Sequence, residues 1–135
     1  MHNEHDGIEA VSPEVNAVGR AVMDAAFAVH RELGPGLLES VYELCMAEEL
    51  ARASLLVERQ VEIPVRYRDA QFDVGFRLDL LVERKVVVEI KSIDALASIH
   101  TAQVLTYLKF TQLRLGYLIN FNTLRLKDGF RRLVL

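Results

Sequence analysis

The chain has 135 residues, 51% apolar and 26% charged, which fits a single globular domain and excludes a disordered tail or a coiled-coil rod. Its formal charge of −3 excludes a uniformly basic nucleic-acid glove, but the charge is uneven: residues 1–62 hold 12 acids and 4 bases, whereas residues 63–135 hold 7 acids and 12 bases. A polyanion would therefore bind the second half, and the predominance of Arg among the bases suits bidentate phosphate contacts.

Residues 1–13 read as a flexible leader and 14–135 as one domain. The leader carries His, Asn, Glu and Asp where a secretory signal needs an apolar stretch, and the longest uncharged run, Ala95 to Leu108, is too short and too polar to span a bilayer. The single cysteine, Cys45, excludes an internal disulfide and any multi-cysteine zinc site. A cytoplasmic location without a membrane partner is expected.

Ser12-Pro13-Glu14 supplies a cap, a proline at the first helical position and an acid in the first turn, so a helix starts there. Apolar residues at spacings of three and four carry it from Val15 to Leu33, and Gly34-Pro35-Gly36 stops it. A second helix is predicted from about Leu37 to Ala53, with Leu38, Val41, Leu44, Cys45 and Leu50 inward. From Leu55 the period changes to two. Val57 to Ile63 reads as a strand that Pro64 either ends or marks as an edge. Further strands are predicted over Phe72 to Val82 and Val86 to Lys91, then a helix over Leu96 to Gln112. A buried strand at Leu115 to Phe121 and a strand or hairpin over Leu124 to Leu135 complete an α/β fold, a mixed sheet flanked by helices in the order ααβββαβ(β).

The chemistry concentrates between Arg77 and Lys91. With residues 83–85 as the connection, Asp79 falls directly opposite Glu89, on one face with Cβ atoms about 5 Å apart. Lys91, two positions further on, joins that face. Two carboxylates this close repel unless a cation compensates them. Mg²⁺ fits, since it is held by one or two carboxylates and takes its remaining ligands from water and substrate phosphates. Lys91 would then orient an attacking water and stabilise the charge that builds on phosphorus. The plainer alternative is an ordinary ion pair on a solvated sheet face. Against it, Val86 to Val88 and Ile90 are apolar, so the strand looks interior, where charges need a reason.

Asp79 and Glu89-Ile90-Lys91 on one hairpin, with an acid-bearing helix before and a helix after, resemble the PD-(D/E)XK nuclease superfamily, whose core is restriction-endonuclease-like. More closely, Gly36-Leu37-Leu38-Glu39-Ser40-Val41-Tyr42 is similar to the signature of the GxxExxY family, small bacterial and archaeal proteins placed in that superfamily. The likeness continues through Val29 to Gly36, Arg77 to Leu80, Gln103 to Leu108 and Leu115 to Phe121, and covers nearly all of the chain after residue 14. It implies that Asp79, Glu89 and the backbone carbonyl of Ile90 hold a metal, Mg²⁺ or Mn²⁺. It also implies that Lys91 is the catalytic lysine and Glu39 the additional helix acid. Gln103 and Tyr107 match a Q-xxx-Y pattern in which the glutamine positions the substrate or the lysine. Leu78 stands where the superfamily pattern has proline, which leaves the metal-binding acid in place. The implied activity is a metal-dependent phosphodiesterase, a nuclease hydrolysing DNA at structures or ends.

The remaining candidates have plainer readings as well. An acid at Glu39 suits the first turn of any helix, and His30 is as readily a core histidine as a site residue. His100, Gln103 and Tyr107 share a helix face that would otherwise be apolar. Tyr42 reads as a packing residue with its hydroxyl satisfied locally. Arg77 is the favoured substrate contact, and Arg66, Arg68, Arg114, Arg125, Lys127, Arg131 and Arg132 supply the rest of the positive half, although such charge runs are more often only solvated surface. Two other functions compete with the nuclease: a catalytically weak nucleic-acid-binding module, and an interaction subunit of the same fold. The final strand, 130–135, offers an edge for a homodimer.

Overall fold

The computed structural model describes residues 11–135, so the expected leader lies outside the described residues up to residue 10. Val11 is already buried, and Ser12 accepts the Val15 N–H at 3.1 Å to cap the first helix. That helix, α1, spans Pro13–Leu33 and ends at Gly34, where φ of 69° lets the glycine N–H return to the His30 carbonyl. Helix α2 spans Glu39–Arg52, and strands β1, β2 and β3 span Val57–Tyr67, Ala70–Val82 and Val86–Lys91. Helix α3 spans Ser98–Thr111, strand β4 Leu115–Asn120, and a 3₁₀ turn at Leu126–Gly129 leads into β5, Phe130–Val134.

The sheet has the order β1-β2-β3-β4-β5, with β3 and β4 parallel and every other pair antiparallel. The parallel pair requires a crossover, and α3 makes it. Helices α1 and α2 cover one face, joined in the larger core by Leu80, Val82, Val86, Val88 and Ile90. Helix α3 covers the other through Tyr107 and Leu108, which pack on Leu78, Leu81 and Val87. This three-layer arrangement is the predicted fold class. Among the described residues no helix is long and apolar enough to cross a membrane.

Of the two alternatives at Pro64 the edge holds: the proline sits inside β1, which is an edge strand, and the register shifts between Pro64 and Val65. One detail differs from the sequence reading. The inward face of α2 is Tyr42, Glu43, Met46 and Leu50, whereas Leu38 and Leu44 are exposed at 74% and 52%. Apolar residues lie on both sides of this helix, and the tertiary contacts of Tyr42 select which side turns inward.

The sheet also breaks its own alternation. Leu80 belongs to the α1/α2 core, yet Leu78, two residues away, belongs to the α3 core together with Leu81. The pleat resets at Asp79, opposite Gln60, whose φ of 54° places it in the left-handed region. The irregularity falls at the predicted site.

Candidate active site

Strands β2 and β3 pair Val82 with Val86, Leu81 with Val87 and Leu80 with Val88, the register that a connection at 83–85 predicts. Asp79 and Glu89 lie one step beyond the last of these pairs. There Asp79 Oδ2 accepts the backbone N–H of Ile90 at 2.8 Å, so a side chain continues what the ladder leaves off. Glu89 is 7% exposed and lies 3.4 Å through Oε2 from the Lys91 ammonium, while its Oε1 is buried and has no hydrogen-bond partner. A buried, unpaired carboxylate oxygen is costly, and one lysine does not balance two acids.

The electrostatics say the same. Burial, then the charge of Asp79, pushes the Glu89 carboxyl up to about 7, with Lys91 pulling the other way. Burial likewise raises Asp79, against the Ile90 hydrogen bond, and Glu43 and Glu39 raise it further. On α3, burial followed by the charges of Glu89 and Asp79 pushes Tyr107 up to about 12, so its hydroxyl stays neutral beside the acids. The site carries more negative charge than its own cations offset.

The Gly36-to-Tyr42 segment closes over the end of β3. Gly36 takes φ of 101°, open to glycine, and Leu38 leads into α2. The Tyr42 hydroxyl donates to the Gly34 carbonyl at 2.5 Å and accepts the Leu37 N–H at 3.2 Å, while its ring stacks on Phe121 at 4.5 Å. Glu39 Oε2 accepts the Ser92 N–H at 3.2 Å, and Ser92 Oγ donates to the Leu37 carbonyl at 2.6 Å. The residue after Lys91 is thereby tied to the loop before α2. Asn120, 1% exposed, secures the following residue: its Oδ1 accepts the Ile93 N–H and its Nδ2 donates to the Ile93 carbonyl.

Asp79, Glu89, Lys91, Glu39 and Tyr107 thus gather around one end of the sheet, and other candidates do not. Gln103 is exposed, and its side chain makes no hydrogen bond among the described residues. His30 bonds through Nε2 to the Thr123 carbonyl at 2.8 Å and packs near Phe121, the contacts of a core histidine. Arg77 is exposed beside Glu62 and Asp73 on the rim of a groove of about 380 Å³. Sequence reasoning missed Glu43, Gln60, Ser92 and Asn120. Glu43 left a signal, since it stands one helical turn after Glu39 and so shares its face. Asn120 left another, as an amide closing a strand that is otherwise apolar.

Among the described residues no group of three His, Cys, Asp or Glu side chains is placed to hold a metal ion. A family model described as the PD-(D/E)XK nuclease superfamily matches residues 16–133. No curated protein and no solved structure matches the chain. With that match running from α1 to β5, and with the mixed sheet and flanking helices the superfamily requires, the chain belongs to the PD-(D/E)XK nuclease superfamily.

Proposed function

We propose that the protein is a metal-dependent nuclease of the GxxExxY group that hydrolyses phosphodiester bonds of DNA. The observation that carries this reading is the buried Glu89 Oε1 without a partner, beside Asp79 and next to Lys91. That orphaned oxygen and the raised carboxyls fit a hard divalent cation, Mg²⁺ or Mn²⁺, and two carboxylates are the usual protein share of such a site. Asp79, Glu89 and the Ile90 carbonyl would hold it. When bound, the ion supplies charge neutralisation at the scissile phosphate and lowers the pKa of a water.

The protein groups supply the rest. Lys91, held by Glu89, orients the attacking water and stabilises the developing negative charge on the phosphoryl oxygens. Glu39, through Ser92, fixes the chain immediately after Lys91. Tyr107, neutral and stacked on Phe76 at 4.4 Å, borders the carboxylates, and Gln103, one turn earlier on α3, meets the substrate from solvent.

The substrate backbone has a track to follow. A groove of about 420 Å³ between the tip of the β1–β2 hairpin and the end of α3 is lined by Arg66, Gln71, Lys109, Phe110 and Gln112 and by no acid. Phe110 packs against Phe76, so this groove adjoins the aromatic pair that borders the site. Two cations in a groove lined by no acid suit phosphates better than Arg77, whose groove holds Glu62 and Asp73. The outer edge of β5 remains the strand at which a second copy would pair.

A thermal-shift titration with Mg²⁺ and Mn²⁺ tests the metal without a guess at the substrate. Binding to the native state raises the melting temperature of the wild type and not that of an Asp79→Asn, Glu89→Gln double variant. Salt-sensitive DNA binding with neither metal response nor cleavage would favour the binding-module reading instead.

A further inference from the structure

We infer that Gln60 holds the Asp79 carboxylate in position and that Glu43 clamps Gln60 for this purpose, an inference that rests on the proposed nuclease site. Glu43 is 6% exposed on the inward face of α2, between Tyr42 and Met46, where an apolar side chain of similar volume would avoid the desolvation of a charge. Both of its oxygens are engaged: Oε1 accepts from Gln60 Nε2 at 2.6 Å and Oε2 from Arg59 Nε at 3.1 Å. The same Gln60 nitrogen lies 3.5 Å from Asp79 Oδ1.

A primary amide nitrogen carries two hydrogens, so it can donate to both carboxylates at once. Turned over, the amide would present its oxygen to two acids, so the orientation is fixed by charge. The backbone is shaped for the same contact. Gln60 adopts φ of 54° directly across from Asp79, at the one step between Val57 and Pro64 where β1 and β2 form no ladder pair. Glutamine has no preference for this region, so its surroundings impose it, and such imposed conformations collect at functional sites.

The Asp79 carboxylate is consequently held from two sides, Oδ2 by the Ile90 N–H and Oδ1 by Gln60. Gln60 and Glu43 act through Asp79 and are positioning residues. Arg59 lessens the repulsion between Glu43 and Asp79 by pairing with Glu43. Partners of this kind, one bond removed from a metal ligand, typically govern about 10- to 100-fold in metal affinity or activity.

The test uses Gln60→Asn, because asparagine tolerates left-handed backbone yet is one methylene too short to bridge the two acids. In the metal-free full-length chain, amide hydrogen exchange at Ile90 is compared with that at Val88 on the same strand. Ile90 should exchange about tenfold faster in the variant while Val88 is unchanged. Equal acceleration at both would mean that Gln60 only stabilises the sheet, and no acceleration would mean that it does not hold Asp79; either overturns the inference. Glu43→Gln, which keeps the volume and weakens the clamp, should shift Ile90 in the same direction by less, and no shift would remove Glu43 from the inference. Direct Mn²⁺ binding by electron paramagnetic resonance should weaken about tenfold in Gln60→Asn, and unchanged binding would overturn the link to the metal. If the wild type takes up no Mn²⁺, the nuclease reading fails, whereas the Ile90 exchange still decides whether Gln60 positions Asp79.

Discussion

Helices α2 and α3 flank the sheet from opposite faces, and each carries polar residues at helical spacing, but they use them differently. On α2, Glu39 and Glu43 both reach the site's surroundings: one accepts from Ser92 beside Lys91, the other from Gln60 beside Asp79. On α3, only Tyr107 of His100, Gln103 and Tyr107 is buried against the sheet. His100 turns back to accept the Ala97 N–H at 2.9 Å, a capping contact, and Gln103 faces solvent. Spacing places side chains on a common face, while the distance to the sheet decides which of them touch it. The α2 acids brace the strands beside Asp79 and Lys91, each through one intermediate residue, whereas Tyr107 of α3 only borders them.

The largest expected effect lies at the centre that both helices serve. Lys91→Ala should lower DNA cleavage by about 10²- to 10³-fold, as loss of a preorganised charge at a reacting oxyanion does. Single-turnover cleavage measures it. On the α2 side, Tyr42→Phe leaves the Leu37 N–H and the Gly34 carbonyl without their shared partner. It should cost about 0.5–1.5 kcal/mol in a urea titration, the usual net contribution of a hydrogen bond, since water can reach the exposed Leu37 and the half-buried Gly34.

The carboxylates themselves make stability depend on pH. Glu89 has a folded-state pKa of about 7 against an ordinary 4.5, so the folded protein binds this proton more tightly than the unfolded chain. The stability it contributes is fully present below 4.5 and is lost as the pH rises through about 7. Metal-free protein should therefore unfold at lower urea at pH 8 than at pH 5, and Glu89→Gln should flatten that dependence. The smallest effect belongs to α3. Gln103→Ala should change stability by less than about 0.5 kcal/mol, because the residue is exposed, and should raise KM for DNA rather than lower kcat. A fall in kcat of the Lys91→Ala size would place Gln103 at the reacting atoms and erase the contrast between the helices.

What the sequence disclosed follows local rules. The Ser12-Pro13 start of α1, the limits of β3 and the register of the β2–β3 hairpin each depend on residues adjacent in the chain, and the structure reproduces them. That register also brings Asp79 close to Glu89, but the ladder stops at Leu80 and Val88 and the pleat resets at Asp79, so the direct pairing it implied does not form. Features that depend on distant partners were not legible. The inward side of α2 is set by Tyr42 against Phe121, 79 positions away, and its two apolar sides gave no means of choosing. Gln60 reads as an ordinary outward residue of an alternating strand, since nothing local marks its left-handed backbone. Asn120 closes the loop after Lys91 through Ile93, a contact visible only once β3 and β4 lie side by side.

The most direct test of the account is cleavage of end-labelled single-stranded, double-stranded and branched DNA by wild-type protein and Lys91→Ala, purified side by side, with Mg²⁺, with Mn²⁺ and with a chelator. The account predicts cutting by the wild type that requires the metal and is lost in the variant. Wild-type protein that cuts none of these substrates with either metal, or cutting that survives Lys91→Ala, would contradict it.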